Sequence, residues 1–219
     1  SSDLDRNQTI GAATSSDLTV WDKVSTEPLV VADPTWYETF EADGYQSWRD
    51  PWVFRFPGES RWHMLITARE GGGAENAPGT IAHATSTDLY TWELHEPLCN
   101  NSGFAQLEVL QVERIDGRWF VIFCTSSVDV WDERIPAAYA TYSAPADGPL
   151  GPFHLEKSVP LNGGGIYAAR IIRDREDNPA LIGFIDSGEP GGFTGTICDP
   201  LPLEVNASGS LLTKKTTLR

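Results

Sequence analysis

Ile10-Gly11-Ala12-Ala13-Thr14-Ser15-Ser16-Asp17-Leu18-Thr19-Val20-Trp21 returns as Ile81-Ala82-His83-Ala84-Thr85-Ser86-Thr87-Asp88-Leu89-Tyr90-Thr91-Trp92. Each copy runs on to a Glu-Pro-Leu, at Glu27-Pro28-Leu29 and Glu96-Pro97-Leu98. An ungapped match of this length marks an internal repeat, and a period of tens of residues means stacked copies of one supersecondary unit. A looser third copy is Ala138-Tyr139-Ala140-Thr141-Tyr142-Ser143, with Phe153 in the tryptophan's place after a longer loop.

Working outward, an apolar strand pair with a polar turn recurs beside these copies. It spans 52–56 and 62–67 around Pro57-Gly58-Glu59-Ser60, then 107–114 and 119–125 around Asp116-Gly117, then 167–172 and 180–185 around 174–178. Asp-Gly between apolar runs is a strong hairpin signal. Each unit of roughly 50 to 60 residues thus holds three inner strands, a Thr-Ser-Xaa-Asp-Leu turn and an outer strand, which is the antiparallel four-stranded blade of a β-propeller. No segment keeps helical periodicity over three turns, so almost no helix is expected. The expected class is all-β, with blades near 44–99, 104–161 and 163–212 and a partial one at 1–31. About three and a half blades do not close a ring. The chain is therefore expected to be the later part of a longer propeller whose first strands lie upstream or on another chain. Closure through its own tail is disfavoured, because 211–219 is short and polar.

The composition agrees with this reading. Eight Trp, nine Phe and six Tyr with 20 Gly and 15 Pro in 219 residues suit strands and turns. A net charge of −15 argues against nucleic acid or an anionic membrane as partner, since binding would bring like charges together. No stretch approaches the ~20 apolar residues of a membrane span. Three widely spaced cysteines, Cys99, Cys124 and Cys198, form no metal or redox motif. His63, His83, His95 and His154 stand at non-corresponding positions of the repeat, so no zinc site is assembled by spacing and no cofactor is expected.

Radial repetition brings the first strand of each blade to the central channel, where strand starts converge. Those starts are Arg49-Asp50-Pro51, Gln106-Leu107-Glu108-Val109 and Gly165-Ile166-Tyr167-Ala168. Pro51 fixes its own φ and biases Asp50 toward an extended conformation, which would aim the carboxylate. Asp50 and Glu108 are expected to face one hollow with Arg49, Gln106, Trp48 and Tyr167 around it. Acids for chemistry, amide and guanidinium for hydroxyls and aromatic faces for the ring make a carbohydrate site. Glu108, ahead of the apolar Val109-Leu110, is the candidate general acid. Plainer readings stand beside these: an ion pair at a strand start for Arg49 and Asp50, and an exposed edge or a pairing with Arg49 for Glu108. Residues 129–133 and 174–177 read as solvated loops.

Trp48-Arg49-Asp50-Pro51 before an aliphatic and aromatic strand resembles the Arg-Asp-Pro motif of glycoside hydrolase families 32 and 68, the fructosyl-processing five-bladed propellers. The Thr-Ser-Xaa-Asp-Leu…Trp turns and Gln106-Leu107-Glu108 one blade later extend the resemblance over roughly 9–200. It implies a five-bladed ring, a retaining mechanism on β-fructofuranosyl linkages, Asp50 as transition-state stabiliser and Glu108 as general acid/base. Two departures stand out. Val109-Leu110 follows the glutamate where family 32 commonly has Cys-Pro, and the Asn-Asp-Pro nucleophile motif has no counterpart; Asp33-Pro34 falls in a linker. The chain alone is therefore expected to be inactive. Two other readings are a non-catalytic sugar-binding propeller and an inverting arabinan- or xylan-type propeller glycosidase.

Overall fold

The computed structural model describes residues 7–72, 77–189 and 191–214. Two short strands, β1 (Ala13–Thr14) and β2 (Asp22–Lys23), pair antiparallel at the start. A one-turn helix α1 (Phe40–Asp43) leads into a four-stranded antiparallel meander of β3 (Trp48–Phe54), β4 (Trp62–Arg69), β5 (Gly79–Ser86) and β6 (Glu93–His95). A second meander follows: β7 (Glu108–Ile115), β8 (Arg118–Thr125), β9 (Ala140–Ala146) and β10 (Val159–Pro160). The third sheet contains β11 (Ile166–Arg173), β12 (Pro179–Asp186), β13 (Phe193–Ile197), β14 (Leu201–Val205) and β15 (Leu211–Thr213). Its third strand is split, β13 and β14 sharing one edge of β12. Pro200 and Pro202 lie where the two halves meet, and a proline cannot donate to a ladder. Among the described residues, helix is limited to α1 and three short 3-10 turns, and no helix is long and apolar enough to cross a membrane.

The sheets stack face to face around an axis, each interface a core layer. Ile10, Val30 and Tyr37 pack with Met64, Ile66 and Ala82 of the first complete blade. Leu65 and Ile81, on the blade's other face, pack with Leu107, Leu110, Val121 and Phe123 of the second. Ile115, Phe120 and Ile122 then pack with Ile171, Leu181 and Leu203 of the third. Burying such side chains contributes roughly 1.5–3 kcal/mol each, which makes these seams the main source of cohesion.

The repeated turn has one hydrogen-bonding pattern in both strong copies. Ser15 Oγ accepts from the amides of Asp17 and Leu18, as Ser86 Oγ does from Asp88 and Leu89. Asp17 Oδ1 accepts from Thr19 and Val20, as Asp88 Oδ1 does from Tyr90 and Thr91. These amides hold both carboxyls below the usual aspartate value. The Glu-Pro-Leu ends also correspond: Leu29 donates to Ile10 O at 2.8 Å and Leu98 to Ile81 O at 2.9 Å.

A second recurrence lies at the inner strands. In β3 the register slips between Arg49 and Trp52, in β7 between Glu108 and Gln111, and in β11 between Tyr167 and Arg170. Each slip is a β-bulge, and each places a non-glycine residue in the left-handed region: Asp50 at φ 54°, Val109 at 54° and Ala168 at 49°. The extended conformation expected for Asp50 is thus not adopted. The bulge inserts one residue against the partner strand, and aspartate tolerates the left-handed conformation better than most residues do.

Candidate active site

The bulges put Arg49, Glu108 and Tyr167 at one position of three successive blades, 59 residues apart in sequence and in contact in space. Arg49 donates from Nη2 to Glu108 Oε1 at 2.5 Å, and Tyr167 donates its hydroxyl to Glu108 Oε2. Both carboxylate oxygens of Glu108 are therefore held, one by a cation and one by a phenol. The guanidinium is itself braced, Nη2 donating also to Gln106 Oε1 at 3.0 Å and Nη1 to Gln8 Oε1 at 3.1 Å. Burial works to lower the pKa of Arg49, but the charge and hydrogen bond of Glu108 prevail and raise it. The pairing of Glu108 with Arg49 is real, yet it is no surface ion pair, as the side chains are only 22% and 21% exposed.

Asp50 stands beside this pair. Its Oδ2 lies 3.7 Å from Arg49 Nε and accepts from the Val109 amide at 3.3 Å and from Thr67 Oγ1 at 3.4 Å. Among the described residues both of these hydrogen bonds fall on Oδ2 and none on Oδ1. Burial raises the Asp50 pKa, Arg49 opposes this, and the charge of Glu108 adds to it. The peptide joining Glu108 to Val109 supplies the amide that Asp50 accepts, so the two acids are tied through one planar unit. Val109 is β-branched, and a left-handed conformation at such a residue costs about 1–3 kcal/mol.

Of the residues expected around the sugar, Arg49, Gln106 and Tyr167 are brought together, but they spend polar atoms on one another and on Glu108. Trp48 is a correction. It is fully buried between blades, its ring tilted on Tyr37 at 5.2 Å and its indole nitrogen donating to Val30 O at 3.0 Å. The alternation of a strand turns it away from the channel when Arg49 faces it. Sequence reasoning missed Gln8, Thr67 and Tyr139. Tyr139 stacks on Tyr167 with ring centroids 4.2 Å apart and donates to Asp186 Oδ2 at 3.4 Å. Burial and the Asp186 charge push its hydroxyl up to about 12. Asp129 is not simply part of a solvated loop: it is half-buried, and its pKa is raised by burial and by the charge of Glu108, against Arg69 and Arg49. Only Tyr139 had a signal, since it stands inside the third copy of the repeat.

The histidines also differ from expectation. His63, His83 and His95 gather on one face of the first complete blade. His63 Nδ1 and His83 Nε2 are 3.0 Å apart, with rings 5° from parallel and centroids 5.2 Å apart. A spacing that nearly equals two ring radii plus the N···N distance means an in-plane N–H···N bond rather than stacked faces. His63 Nε2 meets Glu59 Oε2 at 3.1 Å, and His95 Nε2 meets Thr85 Oγ1 at 2.8 Å. Burial, then the charges of His95 and His63, lower the His83 pKa to about 4. Cross-strand pairing of β4, β5 and β6 produces this row, which spacing along the chain conceals. Among the described residues no group of three or more His, Cys, Asp or Glu could hold a metal ion.

Residues 2–192 match the model of the glycosyl hydrolases family 32 N-terminal domain. No curated protein sequence matches the chain. Among solved structures, an inulosucrase from Halalkalicoccus jeotgali bound to kestose superposes with a TM-score of 0.66 at 18% identity, over 95% of this chain and 64% of that one. A Bombyx mori family 32 β-fructofuranosidase variant in complex with sucrose gives 0.71 at 18%, over 92% and 43%. Bacillus subtilis levansucrase gives 0.65 at 13%, over 95% and 61%. At these identities the likeness is one of fold, the five-bladed propeller, and this chain spans between 43 and 64% of those proteins' lengths. With the family model covering most of its length, and with the acid pair and repeated blades described above, the chain belongs to glycoside hydrolase family 32.

Proposed function

We propose that this chain carries the acid/base and the transition-state-stabilising carboxylates of a retaining glycoside hydrolase acting on β-fructofuranosyl linkages of the sucrose or fructan type. The observation that carries the reading is the clamp on Glu108, with Arg49 on one oxygen and Tyr167 on the other, beside an Asp50 whose Oδ1 faces no protein donor among the described residues. Family membership and fold neighbours that include proteins bound to kestose or sucrose support it.

In this reading Glu108 takes up a proton from solvent as substrate binds, gives it to the glycosidic oxygen as the bond breaks, and recovers one from the water that hydrolyses the glycosyl-enzyme. Arg49 and Tyr167 fix its rotamer. Asp50 accepts hydroxyls of the fructosyl ring, and its hydrogen bonds tighten as the ring flattens toward the oxocarbenium-like transition state. A retaining enzyme needs a nucleophilic carboxylate ~5 Å from the acid/base. No Asn-Asp-Pro motif stands in this sequence to supply it, so we assign the nucleophile to a carboxylate that these 219 residues do not include, and the chain alone is expected not to turn over sugar.

The test compares the 219-residue chain with a version extended upstream, on sucrose, inulin and levan. Turnover by the extended protein only, abolished by Glu108→Gln, with retained anomeric configuration by NMR, is the expected result. Inverted product supports the arabinan- or xylan-type reading. Sugar binding without turnover in the extended protein supports a binding module, and turnover by the short chain overturns the assignment of the nucleophile.

A further inference from the structure

Arg170 occupies the same bulge position in the third blade that Gln111 and Trp52 occupy in the second and first. Its Nη1 donates to Val109 O at 2.8 Å and to Leu110 O at 2.6 Å, and its guanidinium carbon lies 5.0 Å from the centre of the Trp52 ring. One cation thus touches all three complete blades, anchored in β11, bonded to β7 and laid over an aromatic face of β3. The two carbonyls it holds belong to the bulge of the second blade, where the left-handed residue is Val109. At this position the other blades have Asp50 and Ala168, side chains less crowded by that conformation than valine is.

We infer that Arg170 is a positioning residue for the acid pair, holding the Val109 bulge so that one peptide unit presents its amide to Asp50 and keeps Glu108 between Arg49 and Tyr167. The chain of contacts is direct. Arg170 fixes Val109 O, the Val109 amide on the other side of the same residue donates to Asp50 Oδ2, and that amide belongs to the peptide whose carbonyl is Glu108's own. If the bulge relaxed toward ordinary strand geometry, the amide would rotate away from Asp50 and the Glu108 side chain would change face, because a one-residue slip reverses the direction of every side chain. Gln111, the equivalent residue of the second blade, instead bridges Ile171 N and O and stays on the seam. Arg170 has therefore taken on a task its counterparts do not share. Burial lowers its pKa, opposed by the charge of Asp50 among others.

The importance of this bulge for catalysis rests on the proposed function, but the test needs neither sugar nor turnover, so the two fail separately. The amide shift of Val109 and the carboxyl carbon shift of Asp50 are followed by NMR on the whole chain from about pH 3 to about pH 7, a span that brackets aspartate titration. In the unaltered chain both are expected to move through one inflection, since the amide reports the carboxylate it donates to. In Arg170→Met the shared inflection is lost, while amides of β4 and β5 keep their shifts. Arg170→Lys, which retains the charge on a single donor nitrogen, restores it in part. A Val109 amide that still follows Asp50 in Arg170→Met overturns the inference. So does loss of the dispersed spectrum in both variants, which would make Arg170 a plain structural residue.

Discussion

Arg49 reaches across a blade boundary to place Nη2 at 2.5 Å from Glu108 Oε1, joining two residues 59 apart in sequence. Neither group is in free solvent, and each is the other's principal charge partner. The contact is at once a seam between sheets and a support for the acid proposed to move the proton.

Arg49→Met should therefore act on stability as well as on chemistry. It leaves Glu108 with Tyr167 alone and a charge facing a thioether. Breaking a fully buried pair costs ~3–5 kcal/mol, and the residual exposure of these side chains reduces that to about 2 kcal/mol. Urea unfolding near neutral pH measures it; a change within about 0.5 kcal/mol would mean that the pair adds nothing net.

Acid should loosen the first complete blade through His83. Its pKa falls from 6.5 unfolded to about 4 folded, so between those values the unfolded chain binds the proton and the folded chain does not. The stabilising contribution is fully present above the unfolded pKa and is lost as pH falls toward 4. The loss amounts to at most about 3 kcal/mol. His95 and His63 face His83, Glu59 faces His63, and Arg61 reaches Thr85 and Glu93 at the same edge. Urea midpoints at about pH 7.5 and about pH 4.5 should separate more for the unaltered chain than for His83→Phe. Equal separations would show that the row does not sense acid.

Cohesion should come from the seams between blades, as at the one between the first and second complete blades. Leu65 is fully buried there, among Ile81, Leu107 and Phe123. Leu65→Ala should cost about 2–5 kcal/mol, the range for truncating a packed leucine where surroundings collapse only partly. Loss of the same size from Val53→Ala, on a residue 37% exposed, would contradict the assignment of the core.

The repeat was legible because its turns are local: the serine and aspartate of each Thr-Ser-Xaa-Asp-Leu turn bond to amides two or three residues away. Asp50 and Glu108 could be picked out because strand starts in a radial repeat converge. The histidine row could not, since His63, His83 and His95 come together only through pairing across three strands. Trp48 was misplaced for a related reason. An aromatic next to Arg-Asp-Pro suits a sugar platform, and only strand alternation, once Arg49 faces the channel, sends it into the seam.

By itself, then, the sequence determined the all-β class, the blade and its period, which follow from short-range patterning, and it singled out Asp50 and Glu108 as candidates from where the repeat starts its strands. Tertiary structure alone decided that Asp50, Val109 and Ala168 enter the left-handed region together and that Gln8, Tyr139 and Arg170 join the site. The reason is physical: bulge geometry and contacts between residues 28 to 61 apart are set by how neighbouring sheets pack, and no local propensity records that packing.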